Sequence, residues 1–394
     1  MKIGVVKNMP GKRVLRLPSW ARLSCSFEVP DAAEWRALTR QASATSAFRV
    51  PGWIETWANS YLPKGRWRGP YRPLSVRNER GELVAVLPLA RMKFGPIEFR
   101  AAVGPYLPHR GLVLTSRADV AADACAAAAN SLINYVPWRL GLRMGPISDQ
   151  DTAIATFVAA LRHRGWSVVT RRLGNCMVIG LPADMAEFNE RLGGIIKRAN
   201  YYERRMRRIG EVRIAEARAS EDERWPSVVD DAAAIEKNSW IPRENGDLLL
   251  SGSGDRMFWR QAATDEFLRS ALALWIVYFN EVPVSFSLTL DAGKTKFILA
   301  NLYDERIKTY SVGSILTFHV ISRAIDQRFQ QIDWGLGDSG YKKRWLAKPG
   351  YGLYDLIAFP PGPMGWALQG ILRKGFGFHT QFDAPAIIAG PLAR

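Results

Sequence analysis

Residues 333–345 read DWGLGDSGYKKRW, a glycine-spaced turn with two carboxylates, Asp333 and Asp338, followed directly by Tyr341, Lys342, Lys343, Arg344 and Trp345. Acids in a turn beside a run of cations suit the lip of a site for an anionic cofactor or substrate. The plainer alternative for Asp338 is that it shapes the turn by accepting hydrogen bonds from its own backbone. If the stretch is extended, alternation puts Lys342 and Arg344 on one face and Lys343 on the other. A second signal lies just upstream, where Tyr303-Asp-Glu-Arg-Ile-Lys-Thr-Tyr310 leads into Ser311-Val312-Gly313-Ser314. A small, glycine-containing turn from strand to helix exposes backbone N–H groups and a positive helix terminus, which suits a pyrophosphate. Ser and Gly are also ordinary helix-start residues.

The third signal is a basic helix. Phe188, Leu192, Ile195, Ala199, Tyr202, Met206 and Ile209 recur at spacings of four and three and make one apolar stripe. Lys197, Arg198, Arg204, Arg205 and Arg208 fall largely on the other faces. Only Glu203 is acidic between residues 197 and 208, so pairing within the helix cannot neutralise the row. Such a surface suits the phosphates of a nucleotide cofactor, a tRNA backbone or an acidic acceptor.

These groups must be held by elements the sequence also outlines. Residues 184–209 form a long helix, followed by strand 211–217 and helices 221–239 and 255–270. Strands 272–279 and 282–290 meet at the turn Asn280–Glu281, strand 296–302 follows, and helix 312–328 leads to strand 331–334. Upstream, the pattern predicts a helix from Asp31 with Trp35 and Leu38 on one side, and a second from Pro51 carrying Trp53, Ile54 and Trp57. Strands 74–77 and 82–92, helix 120–136, strand 139–142, helix 152–164 and strands 166–170 and 177–181 complete a first half. The order is that of a mixed α/β protein. Gly81-Glu-Leu-Val-Ala-Val-Leu-Pro-Leu89 and Asn280-Glu-Val-Pro-Val-Ser-Phe-Ser-Leu288 both set a turn and a glutamate before an apolar strand, a hint of internal duplication.

Composition bounds the partners. The 394 residues carry a net charge of +17 with 47% hydrophobic content, so the chain can bury sizeable cores and favours an anionic partner. Cys25, Cys125 and Cys176 are far apart and odd in number, and read as buried thiols in a reducing compartment. His109, His163, His319 and His379 are scattered, with no metal-ligand spacing, and His319 reads as a core or interface residue. There is no Walker sequence and no dinucleotide fingerprint. Residues 1–24 read as a flexible basic arm without a signal-peptide core, and no apolar run is long enough to span a bilayer. A cytoplasmic protein is expected, with peripheral contact at the inner membrane as an option. The Pro/Gly-rich tail 360–394 holds a short stretch, Trp366 to Phe376, that reads as a helix docked on its own domain or as an interfacial amphipathic segment.

In combination these motifs resemble a family. Tyr303-Asp304, Tyr310-Ser311-x-Gly313-x-x-Leu316 and Asp333-x-x-x-Gly337-Asp338-x-x-Tyr341-Lys342-x-Arg344-Trp345 look like the GNAT-superfamily acyltransferases of the FemAB-like, cellulose-biosynthesis acetyltransferase type. The basic helix ending at Gly210, Glu236-Lys-Asn-Ser-Trp240, and Phe48-x-x-Pro51-x-Trp53-x-x-x-Trp57 are similar to further segments of that family. The resemblance spans about residues 45–358 and implies an α/β (α+β) fold of two tandem GNAT-like domains, with mixed, mostly antiparallel sheets flanked by helices. The domains would cover residues 25–181 and 182–359, the second carrying the motifs. It implies an acyltransferase, with acetyl-CoA or another acyl-CoA as donor, no metal, and an amino sugar or other cell-envelope or polysaccharide precursor as acceptor. By position Ser311, Val312, Gly313 and Ser314, with Lys342 and Arg344, would hold the donor. Fem relatives instead take an aminoacyl group from tRNA, so a tRNA-dependent transferase is the alternative, and a non-catalytic anion-binding protein a third. Acyl transfer to an amine needs a base, for which Asp333 and Asp338 rank equally, and an acid for the leaving group, Tyr341 or Tyr310. Glu236, Trp240, Tyr303, Lys197 and Arg198 would face the substrate.

Overall fold

The computed structural model describes residues 19–42, 44–62, 66–94, 97–104, 109–135, 140–221, 223–244, 250–338 and 340–382. Most of the basic arm expected over 1–24, and residues 383–394 of the tail, lie outside the described residues.

One mixed sheet of eleven strands runs through the molecule. In spatial order its strands are Val212–Arg218, Leu272–Phe279, Val282–Ala292, Thr295–Tyr303, Gln331–Leu336, Ser167–Gly180, Lys348–Phe359, Leu140–Ser148, Ile97–Ala102, Leu89–Phe94 and Trp67–Arg68. A smaller sheet of four, Ser24–Ser26, Leu74–Arg77, Leu83–Leu87 and Val113–Leu114, sits beside it. Nearly all pairings are antiparallel. Among the described residues the two parallel ones are Glu98–Ala101 with Leu140–Arg143 and Thr295–Phe297 with Gln331–Asp333. A helix crosses over between the partners each time, Ala118–Tyr135 in the first half and Val312–Asp326 in the second. Parallel partners need such a crossover, and its occurrence once per half is the structural form of the suspected duplication.

The helix starts follow from their caps. Asp31 accepts hydrogen bonds from Ala33 N and Glu34 N and opens Ala32–Gln41; Pro51 opens Pro51–Tyr61. The turn Asn280–Glu281 has both residues at positive φ, as a two-residue hairpin requires. Several expectations are corrected. Residues 82–92 are two strands, because Pro88 has no N–H to give a ladder; Leu83–Leu87 stays in the small sheet and Leu89–Phe94 joins the large one. Residues 166–170 and 177–181 belong to one strand, Ser167–Gly180, whose solvent-facing middle, Arg171–Asn175, hid its continuity. Residues 255–270 divide into Ser253–Ala262 and Glu266–Ala271 where Asp265 caps the second helix. Leu192 leaves helical geometry (φ −127°, ψ 16°) before Gly193–Gly194, so the basic helix Met185–Arg207 is kinked and buries Ile196, while Ile195 is only partly covered and Ile209 is exposed.

The strand Lys348–Phe359 was not foreseen; Pro349, Gly350 and Gly352 at its start interrupt any strand pattern. It inserts between Ser167–Gly180 and Leu140–Ser148, and the glycines are needed there: a Cβ on Gly350 would lie 2.6 Å from Val178 Cγ2, and one on Gly352 2.5 Å from Asp149 Oδ2. The last strand thus stitches the second half into the first. A shared core does the same on the other side, where Trp53 packs edge-on against Phe258 and Trp259 at 5.3 and 5.7 Å. The expected tail segment is a helix, Pro363–Gly375, lying against Ser167–Gly180 and Lys348–Phe359. Among the described residues no helix is long and apolar enough to cross a membrane.

Candidate functional site

The second parallel pair opens into a wedge. Thr295–Tyr303 and Gln331–Leu336 stay paired for three positions only. Beyond them Gln331–Leu336 follows Ser167–Gly180, reaching Leu336 opposite Cys176, while Thr295–Tyr303 continues along Val282–Ala292 as far as Tyr303 opposite Ser285. The helix Val312–Asp326 begins beside the open end. Gly313 lies against the Tyr303 ring, where a Cβ would come within 3.3 Å of Cδ1. Asn301 Nδ2 donates to Thr317 Oγ1 at 3.2 Å, and Thr317 Oγ1 lies 2.6 Å from the Tyr341 hydroxyl. Tyr341 in turn donates to Gly313 O at 3.0 Å, so donor accounting makes Thr317 the donor to Tyr341. The Tyr341 ring meets Trp334 edge-on at 5.6 Å. Burial raises the pKa of Tyr341, with the hydroxyls of Thr317 and Ser314 pulling the other way.

Cations gather at the helix start. Ser311, at φ 48° and ψ 38°, heads the helix, and no side chain caps it. Val312 and Gly313 are buried behind it. The basic helix packs alongside: Arg198 reaches the Tyr202 hydroxyl at 3.5 Å and lowers its pKa, Ser311 bonds the same hydroxyl, and Arg205 stacks over the Tyr310 ring at 5.3 Å. Lys197, Arg198, Arg204, Arg205 and Arg208 are exposed. Among the described residues none of the five pairs with a carboxylate. Glu203 is committed to His319 and Arg207, which hold its carboxyl down to about 2 against the upward pull of burial. His319 is thus an interface residue between the two helices.

The two candidate carboxylates have different surroundings. Asp333 is 3% exposed; its Oδ1 accepts from Gly335 N and its Oδ2 from the Tyr351 hydroxyl, which also touches His109 Nε2 at 2.8 Å. Burial raises its pKa from the ordinary value, with the Tyr351 and Gly335 hydrogen bonds and Lys342 pulling the other way. Asp338 Oδ1 accepts from Gly340 N at 2.9 Å and Lys342 N at 3.1 Å, so it does shape the turn. Its Oδ2 is buried without a hydrogen-bond partner among the described residues, 3.7 Å from Lys343 Nζ. Residues 341–344 are one helical turn rather than extended chain, so the alternation expected for Lys342 and Arg344 does not arise. The Lys342 ammonium turns inward to Trp334 O, Gly335 O and Leu336 O at 2.7, 3.2 and 3.0 Å, tying down the strand end, and burial lowers its pKa. Arg344 is exposed.

On the far side of Tyr303, Asn238 O accepts from Glu305 N, and Arg243 pairs with Glu305. This joins the turn after Glu236-Lys-Asn-Ser-Trp240 to the turn before Ser311. Trp240 is exposed there, whereas Glu236 is fully buried and accepts from Leu250 N and Ser251 N. Among the described residues no group of His, Cys, Asp and Glu could hold a metal. The sequence reading missed Asn301 and Thr317, whose polarity is unremarkable in a strand and a helix. It also missed His109 and Tyr351, which lie far apart in the chain and in stretches rich in Pro and Gly.

Residues 195–343, from the basic helix to the end of the site turn, match the family described as acetyltransferase (GNAT) domain. No curated protein sequence matches the chain. Among solved structures, FemX superposes with a TM-score of 0.54 at 12% identity, covering 88% of this chain and 99% of that one. L-PGS from Bacillus licheniformis gives 0.51 at 12% identity over 89% and 98% of the two chains. The C-terminal domain of a putative lysylphosphatidylglycerol synthetase from Agrobacterium fabrum gives 0.50 at 12% identity over 86% and 95%. At these identities the likeness is one of fold.

Proposed function

We propose that the chain is a GNAT-superfamily acyltransferase of the FemAB-like type, that its donor is an acyl-CoA, with acetyl-CoA the simplest, and that it acylates an amine. One observation carries this reading: the uncapped start of Val312–Asp326 lies at the open end of the wedge, where Ser311 bonds the Tyr202 hydroxyl that Arg198 also reaches and Arg205 stacks over the neighbouring Tyr310 ring. Backbone N–H groups and two guanidinium groups there suit a pyrophosphate, and the diverging strand edges give the pantetheine arm amide partners. The reaction class is nucleophilic acyl substitution. The acceptor nitrogen attacks the thioester carbonyl, a C–N bond forms and the C–S bond breaks. The nitrogen's proton passes to Asp338, whose Oδ2 has capacity to spare, and Tyr341 protonates the departing thiolate. Asp333, with both oxygens engaged, positions the strand end instead. Trp240 offers an exposed ring on the acceptor side. An amino sugar or other cell-envelope or polysaccharide precursor is the acceptor class we propose, in keeping with the motif resemblance.

The test is binding. Arg198→Ala and Arg205→Ala should each weaken acetyl-CoA binding about tenfold by calorimetry, the loss of one charge-assisted contact. Unchanged affinity in both would remove the donor site from this place. The aminoacyl-tRNA reading has its own support. The exposed row from Lys197 to Arg208 runs about 16 Å along the helix, longer than a pyrophosphate needs, and the Tyr341 ring stands within the wedge. It predicts tRNA binding that falls steeply with salt, with a slope reporting several phosphates.

A further inference from the structure

The helix Pro363–Gly375 is covered on one side only. Gly365 is buried, with Pro360 O where its Cβ would be, and Leu368 and Leu372 pack on the cluster that holds Phe359 and Phe378. The outer side carries large apolar side chains too: Met364 is 47% exposed, Trp366 64%, Ile371 56%, and Phe376 just beyond the helix 56%. At 100° per residue Met364 and Ile371 share one flank and Trp366 takes the other, with Lys374 between them. Beside them the charge has one sign. No Asp or Glu occurs from Pro360 to Phe382, and Arg373 and Lys374 close the helix. Between its last turns and the returning chain lies an open cavity of about 270 Å³ lined by Gly370, Arg373, Lys374, Phe378 and His379. Arg171 stacks over the Phe378 ring at 5.1 Å, within reach of Asp355 at 3.7 Å.

We propose that this helix is the face by which the protein lies on an anionic phospholipid surface. Met364, Trp366, Ile371 and Phe376 would enter the boundary between headgroups and acyl chains, and the cavity at Arg373 and Lys374 would receive a lipid phosphate. Thirteen residues give a helix of about 20 Å, too short to span a bilayer and suited to lying in its surface. The choice of occupant rests on charge. A second copy docked through the same patch would set Arg373 and Lys374 against their own counterparts, whereas an anionic surface attracts both. Exposed apolar side chains interspersed with cations and free of acids suit such a surface. The inference is independent of the donor.

The experiment is vesicle co-sedimentation of the full chain, with phosphatidylcholine alone and with phosphatidylcholine containing about one-third phosphatidylglycerol. Binding is expected to the anionic vesicles and not to the neutral ones. The double variant Trp366→Glu with Ile371→Glu should lose at least about tenfold in affinity, since two buried apolar side chains are forfeited. Arg373→Ala with Lys374→Ala should lose several-fold. All four side chains point to solvent, so melting temperatures should match the parent, which circular dichroism checks. The basic row 197–208 is intact in both variants, so undiminished vesicle binding by Trp366→Glu with Ile371→Glu would assign adhesion to that row and overturn the proposal. So would equal binding to neutral and anionic vesicles, or a parent dimer in sedimentation velocity that this variant dissolves.

Discussion

Asp338→Asn should lower the turnover number for amine acylation by about 10²–10⁴-fold, the usual worth of a positioned general base, while donor affinity stays within a few-fold of the parent. The substitution is nearly isosteric and keeps an oxygen to accept from Gly340 N and Lys342 N, so the turn that carries Tyr341 should survive. What it removes is the second oxygen, buried and without a hydrogen-bond partner among the described residues. The discriminating readout is turnover lost while donor affinity is kept. Asp333→Asn makes the contrast. It disturbs a carboxylate whose partners are Gly335 N and the Tyr351 hydroxyl, and should reveal itself in stability and donor affinity together. If Asp333→Asn abolishes turnover with folding and donor binding intact, and Asp338→Asn does not, the two roles are reversed.

Arg49→Ala should be the most damaging single change to the fold. Arg49 and Asp151 form an ion pair at 2.5 Å with both side chains 2% exposed, and Arg49 also donates to His109 O at 2.7 Å and Leu112 O at 2.6 Å. Removing the guanidinium leaves a buried carboxylate and two carbonyls without their donor, a change worth about 3–5 kcal/mol of destabilisation in comparable pairs. Denaturant unfolding reads it directly. Arg49→Lys should rescue little, because one ammonium cannot span carbonyls and carboxylate as the planar fork does. A stability loss within about 0.5 kcal/mol, the range of ordinary surface substitutions, would show that the pair carries no weight. The damage should also reach the site. Arg49 holds the backbone of His109, whose imidazole meets Tyr351, which holds Asp333 at the wedge. Burial, with Arg49 nearby, keeps that imidazole neutral, its pKa pushed down to about 3. The link to Asp333 thus runs through a neutral imidazole and the Tyr351 hydroxyl.

Much of this was legible because local chemistry agreed with the fold. Asp31, Pro51 and Asn280–Glu281 carry their turn and cap signals in adjacent residues, and the structure follows them. The strand Leu272–Phe279 and the helix starting at Val312 were readable from apolar runs and a small-residue turn. The part of the site proposed for the donor was legible in its placement. Ser311 to Ser314, Arg198 and Tyr310 come together, because a strand, a crossover helix and a flanking helix fix their geometry. Where the reading failed, the deciding partner lay far away in sequence. Lys348–Phe359 is a strand only because Ser167–Gly180 and Leu140–Ser148 leave a place for it. Lys342 looked like a phosphate ligand, and its ammonium instead grips three carbonyls that the strand end presents. Glu236 looked like a cleft residue and serves Leu250 N and Ser251 N across a loop. Tyr351 and His109 had no signal, since a buried hydrogen bond between residues 242 apart leaves no period to read.

The central claim is that the open end of the wedge, at the start of Val312–Asp326, binds the pyrophosphate of an acyl-CoA. Isothermal titration of the intact protein with acetyl-CoA, in parallel with an uncharged tRNA and at two salt concentrations, tests it most directly. The account predicts one acetyl-CoA per chain, with a dissociation constant in the micromolar to submillimolar range usual for such substrates, and only weak, salt-erased binding of tRNA. No heat with acetyl-CoA up to millimolar concentration, together with saturable tRNA binding, would contradict it and make the basic row a polynucleotide track.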